Sequence, residues 1–211
     1  MKGLIISSGT ITDYNRLKVV VKESDFIVCA DGGMDHIIKI NELPDLVLGD
    51  LDSISQDALR YIDEKNIPIQ KFPSIKDATD TGIAMEYLIQ KGFKDITLMG
   101  VTGTRQDHTM ANILLLNTLH TKNIKGKIVD DNNIVYLVEE YLELEYMEDN
   151  FVSVIPITEE GIKVSLVGFF YNLDNINIKF GSTHGVSNKI IEKKGVITIH
   201  KGKALVFISK D

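Results

Sequence analysis

Aspartates in this chain gather beside glycines. They occur in Asp31-Gly32-Gly33, Gly49-Asp50-Leu51-Asp52-Ser53, Lys76-Asp77-Ala78-Thr79-Asp80 and Gly103-Thr104-Arg105-Gln106-Asp107-His108, with Ser8-Gly9-Thr10 upstream. Carboxylates are hard oxygen ligands that select Mg²⁺ or a similar ion, which commonly takes one or two of them plus substrate phosphates. Asp50 and Asp52, two residues apart, can reach one ion where the chain bends. The glycines let backbone amides approach phosphate oxygens, and Arg105 can take a phosphate bidentately. Neither the Gly-x-x-x-x-Gly-Lys-[Ser/Thr] loop nor the Gly-x-Gly-x-x-Gly fingerprint is present, so the phosphate chemistry is of another kind.

Each segment alone has a plain structural explanation. Gly49-Asp50-Leu51-Asp52-Ser53 reads equally as a helix start capped by Ser53 or Ser55, Asp31-Gly32-Gly33 as a turn, and Asp80 as an N-cap. Asp77 with Asp80 also reads as a solvated acidic turn. Together they are harder to dismiss, because Asp31, Asp50, Asp52, Asp77, Asp80 and Asp107 would meet on one rim. Two carboxylates about 4 Å apart repel by roughly 4 kcal/mol at an effective dielectric near 20. A fold gathers such charges only with something to neutralise them.

The rim exists only if these segments share an edge, and the apolar pattern supplies one. Leu4-Ile5-Ile6, Phe26-Ile27-Val28, Leu46-Val47-Leu48, residues 67–72 and Ile96-Thr97-Leu98-Met99 read as buried strands. Helical faces lie between them: Tyr14, Leu17, Val20 and Val21; Leu59 and Ile62; Ile83, Ala84, Tyr87 and Leu88, with Gly92 as the stop. A fourth helix, after the last strand, carries Met110, Ile113, Leu114 and Asn117. The alternation predicts an α/β fold with an N-terminal, mainly parallel sheet flanked by helices. Ligands of such a sheet bind beyond the carboxyl ends of its strands, where every one of the segments falls.

After about Gly126 apolar and polar residues alternate instead, as in Leu142-Leu144-Tyr146, Ile162-Val164-Leu166, Ile176-Ile178-Phe180 and Val196-Ile197-Ile199, with turn signals at Asp131-Asn132-Asn133 and Lys201-Gly202-Lys203. This predicts a C-terminal all-β domain, a small antiparallel sandwich or barrel. Two domains are expected, over residues 1–130 and 131–211.

The 211 residues are 44% hydrophobic and 25% charged, enough for a core without covalent staples. The single cysteine, Cys29, excludes an intrachain disulfide framework, fits a cytoplasmic setting and reads as a small buried hydrophobe. Apolar runs end within a few residues, so neither a membrane span nor a secretory leader is expected. The net charge of −7 argues against a nucleic-acid partner. A polyphosphate remains open to an acidic protein if a metal sits between the charges.

The order of these segments resembles that of the thiamine pyrophosphokinases. Gly168-Phe169-Phe170-Tyr171-Asn172-Leu173 and Gly181-Ser182-Thr183-His184-Gly185-Val186-Ser187-Asn188 continue the likeness into the β-rich half, so that it spans almost the whole chain. The resemblance implies transfer of diphosphate from ATP to the hydroxyl of thiamine, giving thiamine diphosphate and AMP. It further implies an ATP-binding α/β catalytic domain, a thiamine-binding β-sandwich, and a homodimer with its sites at the subunit interface. By the same resemblance Asp50, Asp52 and Asp80 hold Mg²⁺, and Asp31, Asp80 and Arg105 are catalytic. Gly32, Gly33, Ser53, Lys76, Asp77, Thr79, Arg105 and Asp107 bind the nucleotide side, while Tyr171, Ser187 and Asn188 seat thiamine. An aromatic suits a flat thiazolium cation, although Tyr171 also reads as a sandwich-core residue. His108 reads as a helix-start residue that orients Asp107. Thr104 stands where the family has a second glycine, and its side chain either crowds the phosphate or leans into solvent.

The expected reaction is in-line attack of thiamine's hydroxyl on the β-phosphorus, with either Asp80 or Asp31 taking the proton. Two alternatives stay open at this level: a pyrophosphokinase for another hydroxymethyl heterocycle such as a pterin, and a nucleotide-binding regulator without turnover.

Overall fold

The parallel sheet anticipated from the N-terminal pattern is present. In the computed structural model, which describes residues 1–72 and 78–211, its strands are β1 (Lys2–Ile6), β2 (Phe26–Ala30), β3 (Leu46–Gly49), β4 (Ile69–Lys71), β5 (Asp95–Met99) and β6 (Lys125–Val129). They lie in the order β4-β3-β2-β1-β5-β6, each pairing parallel. The intervening helices are α1 (Tyr14–Lys22), α2 (Met34–Ile40), α3 (Gln56–Lys65), α4 (Asp80–Gln90) and α5 (Gln106–Thr121). All belong to one compact unit, Met1–Asp131.

A strand covered on both faces reads as a continuous apolar run. Leu4, Ile5 and Ile6 of β1 are fully buried, each contributing about 2 kcal/mol of burial. Register decides where the loops emerge: Ile6 pairs with Cys29 on one side and Met99 on the other, so β1, β2 and β5 end level. The strand order reverses at β1. Successive strands step outward from β1 to β4, and the chain then returns to set β5 on β1's other flank. The turns after β1 and β5 therefore border the crevice in which open sheets of this type take ligands.

Four features differ from the sequence reading. Strand β4, expected to be buried, is exposed throughout because it forms the edge of the sheet. Helix α2 was not anticipated, because its two turns follow a 3-10 turn at Asp31–Gly33 and show too few residues for a period. Strand β6 extends the parallel sheet beyond the expected change of pattern near Gly126. The inner face of α5 is Asn112, Leu116 and Leu119, while Met110 and Leu114 are 58% and 50% exposed. Polar and apolar residues of that helix are mixed around its axis, so its periodicity does not select a face. A polar anchor does: Asn112 Nδ2 donates to the Val101 carbonyl at 2.8 Å. Gly92 ends α4 as read, at φ +84°, with its N–H on the Ile89 carbonyl.

The second unit, Asn132–Asp211, is all β. Strands β7 (Asn133–Val138), β13 (Ala204–Ser209) and β9 (Phe151–Pro156) pair antiparallel in that order. Facing them is the antiparallel sheet β11-β10-β12-β8, from β11 (Leu173–Ile178), β10 (Ile162–Val167), β12 (Lys194–Lys201) and β8 (Tyr141–Glu145). Val152, Val154 and Val206 from the first layer pack with Val164, Leu166, Ile197 and Phe169 in one apolar core, as a sandwich requires. No helix among the described residues is long and apolar enough to cross a membrane.

Candidate active site

Asp31 opens the turn that leaves β2. Its backbone is left-handed at φ 49°, a region costly for most side chains and tolerated by aspartate. The two glycines behind it are fixed by close approach. A Cβ on Gly33 would overlap the Ile6 carbonyl, and one on Gly32 would lie 3.0 Å from Ser8 Cβ and 3.2 Å from the Ser53 carbonyl oxygen. Two loops thus close on the Asp31 turn: those after β1 and β3.

The loop after β3 resolves the choice of cap. Ser55 is the N-cap of α3, accepting the Ala58 N–H at 3.1 Å. Ser53 instead faces inward and donates to Asp31 Oδ2, with Asp52 Oδ1 as a second acceptor at 3.0 Å. Ser55 also donates to Asp35 in α2. The segment between them bends sharply, with Leu51 left-handed at φ 70° and the Asp52 N–H on Asp50 Oδ1 at 3.3 Å. The bend brings carboxylate oxygens of Asp31, Asp50 and Asp52 within 4.8 Å of one another.

Asp31 is buried and its Oδ1 has no hydrogen-bond partner among the described residues. Burial pushes its carboxyl above the ordinary range, the Ser53 hydrogen bond opposes this, and the charges of Asp80, Asp50 and Asp52 add to the rise. Asp80 lies over the same turn, its Oδ1 3.2 Å from the place a Cβ on Gly49 would take. Thr79, not Asp80, caps α4, accepting the Gly82 N–H at 3.2 Å; Asp80 occupies the first turn, where its charge meets the helix dipole. Four carboxylates thus share one end of the sheet. An unpartnered buried carboxylate oxygen within a group of three suits a hard divalent cation.

Asp107 is engaged apart from these. Arg105 Nη2 meets Asp107 Oδ2 at 2.6 Å and its Nε meets Oδ1 at 3.3 Å, a bidentate pair in the open. The Arg105 hydrogen bond, then one from the His108 backbone, hold the Asp107 carboxyl down at about 2. Thr104 is exposed, so its side chain leans into solvent. Lys76 and Asp77 lie outside the described residues.

Two residues that position the rim were not singled out from sequence. Asp131, read there only as part of a turn, accepts the Thr12 N–H at 2.7 Å, the Thr12 hydroxyl at 2.6 Å and the Asp13 N–H at 3.0 Å, tying down the loop after β1. His36, buried in α2, reaches the Gly9 carbonyl with Nε2 at 2.8 Å. A lone imidazole inside an apolar stretch, Met34 to Ile40, is the only sequence signal for it.

In the second unit Tyr171 is 64% exposed and stands edge-on to Phe170, ring centres 4.8 Å apart, which removes the core reading; Phe169 fills the core instead. Asn188 is buried behind it, hydrogen-bonded to the Tyr171 backbone through both ends of its carboxamide. Ser187 is exposed and left-handed at φ 61°, its N–H on Ser153 Oγ at 3.0 Å.

Comparison with known proteins bears on both units. The family model described as "Thiamin pyrophosphokinase, catalytic domain" matches residues 17–128, and "Thiamin pyrophosphokinase, vitamin B1 binding domain" matches residues 139–206. The thiamine pyrophosphokinase of Bacillus subtilis (strain 168) is 32% identical over 210 residues, 98% of each chain. Thiamin pyrophosphokinase 1 of Caenorhabditis elegans is 25% identical over 92% of this chain and 82% of its own. Among solved structures, the thiamine pyrophosphokinase from Bacillus subtilis superposes with a TM-score of 0.89 at 28% identity, covering 100% of both chains. That from Geobacillus thermodenitrificans gives 0.86 at 26% identity over 100% of this chain and 98% of its own. A family model across more than half of the sequence, and a full-length relative above 30% identity, establish that the chain belongs to the thiamine pyrophosphokinase family.

Proposed function

We propose that the chain transfers the terminal diphosphate of ATP to the primary hydroxyl of thiamine, releasing AMP. The observation that carries this reading, beside family membership, is the convergence of Asp31, Asp50 and Asp52 around a buried carboxylate oxygen with no partner among the described residues. Asp50 and Asp52, with Asp31 and Asp80 beside them, would hold Mg²⁺. When bound there, Mg²⁺ supplies charge neutralisation for the phosphates.

The remaining roles fall to the chain itself. Amides of the Asp31-Gly32-Gly33 turn and the loop after β3 flank the phosphates, with Ser53, Thr79, Lys76 and Asp77 on the nucleotide side. Arg105, pre-aimed by Asp107, meets charge that builds on the transferring group. Asp31 or Asp80 accepts the hydroxyl proton. In the second unit Tyr171 offers a flat face to the thiazolium cation, with Ser187 beside it and Asn188 setting its backbone.

The sandwich also exposes Val167, Phe170, Phe180 and Ile191, each more than half accessible. That much open apolar surface supports a homodimer. Cys29, a buried free thiol, fits a cytoplasmic protein.

The test is to incubate the protein with ATP, Mg²⁺ and thiamine and resolve the products by ion exchange. AMP in equal amount with thiamine diphosphate is expected, and chelation should stop both. ADP with thiamine monophosphate would overturn the reading.

A further inference from the structure

We propose that His36 is a positioning residue of the nucleotide-side rim, whose Nε2–H holds the Gly9 carbonyl and thereby sets the Ser8-Gly9-Thr10 turn against the Asp31-Gly32-Gly33 turn. The inference rests on the reading that ATP occupies this rim.

The chain of contacts has a forced direction. A carbonyl only accepts, so at 2.8 Å from Gly9 O the Nε2 atom must carry a proton. At the other end Lys39 Nζ only donates, and it lies 2.9 Å from the Tyr14 hydroxyl oxygen. Tyr14 can then send its own proton onward to His36 Nδ1 at 3.3 Å. Every group is satisfied by one neutral tautomer, the Nε2–H form. Burial and the Lys39 charge both hold the imidazole below its ordinary range, in keeping with that form.

The strut ends where it matters. Gly9 N–H donates to the Gly100 carbonyl at 2.6 Å and Thr10 N–H to the Thr102 carbonyl at 2.8 Å. The turn after β1 is thereby stitched to the loop after β5, across the crevice where the strand order reverses. His36 is the side chain that stitches the same turn to α2, the helix that continues from the Asp31 turn. No side chain at position 9 could replace the strut, since a Cβ there would overlap the Gly100 and Thr102 carbonyl oxygens. Losing the donor would let the turn drift, with Ser8 moving away from Gly32.

Two substitutions separate positioning from bulk stability. Gln places its amide nitrogen near the position of Nε2 and can still donate to Gly9, whereas Asn ends near Nδ1 and cannot. His36→Asn should raise the KM for ATP about ten-fold, the scale of one lost buried hydrogen bond, with the KM for thiamine unmoved. His36→Gln should restore most of the difference. Equal kinetics for Asn and Gln, or equal rises in both KM values, would overturn the proposal. A second readout needs no variant to function: long-range ¹⁵N–¹H correlation of the wild type should show His36 as the neutral Nε2–H tautomer, and an Nδ1–H tautomer would also overturn it. Wild-type protein that forms no AMP would instead defeat the reading of the site, a distinct outcome.

Discussion

Asn188 grips Tyr171 by its peptide and not by its ring: Oδ1 accepts the Tyr171 N–H at 3.0 Å while Nδ2 donates to the Tyr171 carbonyl at 2.8 Å. The same Oδ1 takes the Lys189 N–H at 2.9 Å, and the Asn188 backbone bridges Val152. Both ends of the carboxamide are engaged with backbone, which makes this residue the anchor of an exposed aromatic.

Asn188→Ala should therefore cost about 1–2 kcal/mol by removing part-buried hydrogen bonds to backbone, read as a lower midpoint in denaturant. Tyr171→Ala should leave that midpoint near wild type and raise the KM for thiamine more than that for ATP. Equal effects of Tyr171→Ala on both KM values would place the tyrosine outside the thiamine site.

Asp50→Asn and Asp52→Asn should each fold and lose most turnover, since each removes a charge from the carboxylate group at nearly constant volume. Removing a mutual repulsion should leave the metal-free melting temperature unchanged or higher. Wild-type turnover by both variants at limiting Mg²⁺ would break the metal assignment.

Arg105→Lys tests the fork. The Arg105–Asp107 pair is exposed, so the melting temperature should hardly move. Lysine cannot reproduce the two-pronged geometry, and kcat should fall on the order of 100-fold. With Asp107 held at about 2, the pair stays ionised throughout the neutral range. The defect should therefore be the same at pH 6 and pH 8.

His36 should make the fold sensitive to mild acid. Its folded value is lowered, so the unfolded chain takes up a proton first as pH falls through the ordinary histidine range of about 6.5. Stability from the neutral ring is full above that range and declines below it. The Gly9 hydrogen bond opposes the effect, Lys39 deepens it, Asp35 and Asp131 oppose it, and the Tyr14 hydroxyl faces the ring. Wild type should lose more stability than His36→Gln between pH 7.5 and 5.5, measured by guanidinium midpoints; parallel losses would refute it.

How far the residues alone announce this architecture differs from element to element. The strands β1, β2, β3 and β5 are legible because burial on both faces leaves no alternation to interpret. Helix α2 and the inner face of α5 are not, since a two-turn helix shows no period and a helix with polar and apolar residues mixed around its axis shows no side. Asp31, Asp50 and Asp52 were legible as a group because the ends of parallel strands are a known place. What the sequence could not display is division of labour among like residues. Ser53 and Ser55 differ only in which way the bend at Leu51 turns them, and Asn188 looks the same whether it faces a ligand or a peptide.

The bond between Thr12 and Asp131 spans 119 positions of the chain. Contacts of such separation form late, after the loop-closure entropy of the intervening chain has been met. During synthesis the first strand and its turn leave the ribosome long before Asp131 does. The rim of the sheet thus waits, slack, on the last residue of its own unit, and a nascent chain stalled between Asp80 and that residue would carry all four cluster aspartates with the mouth of the crevice still unset.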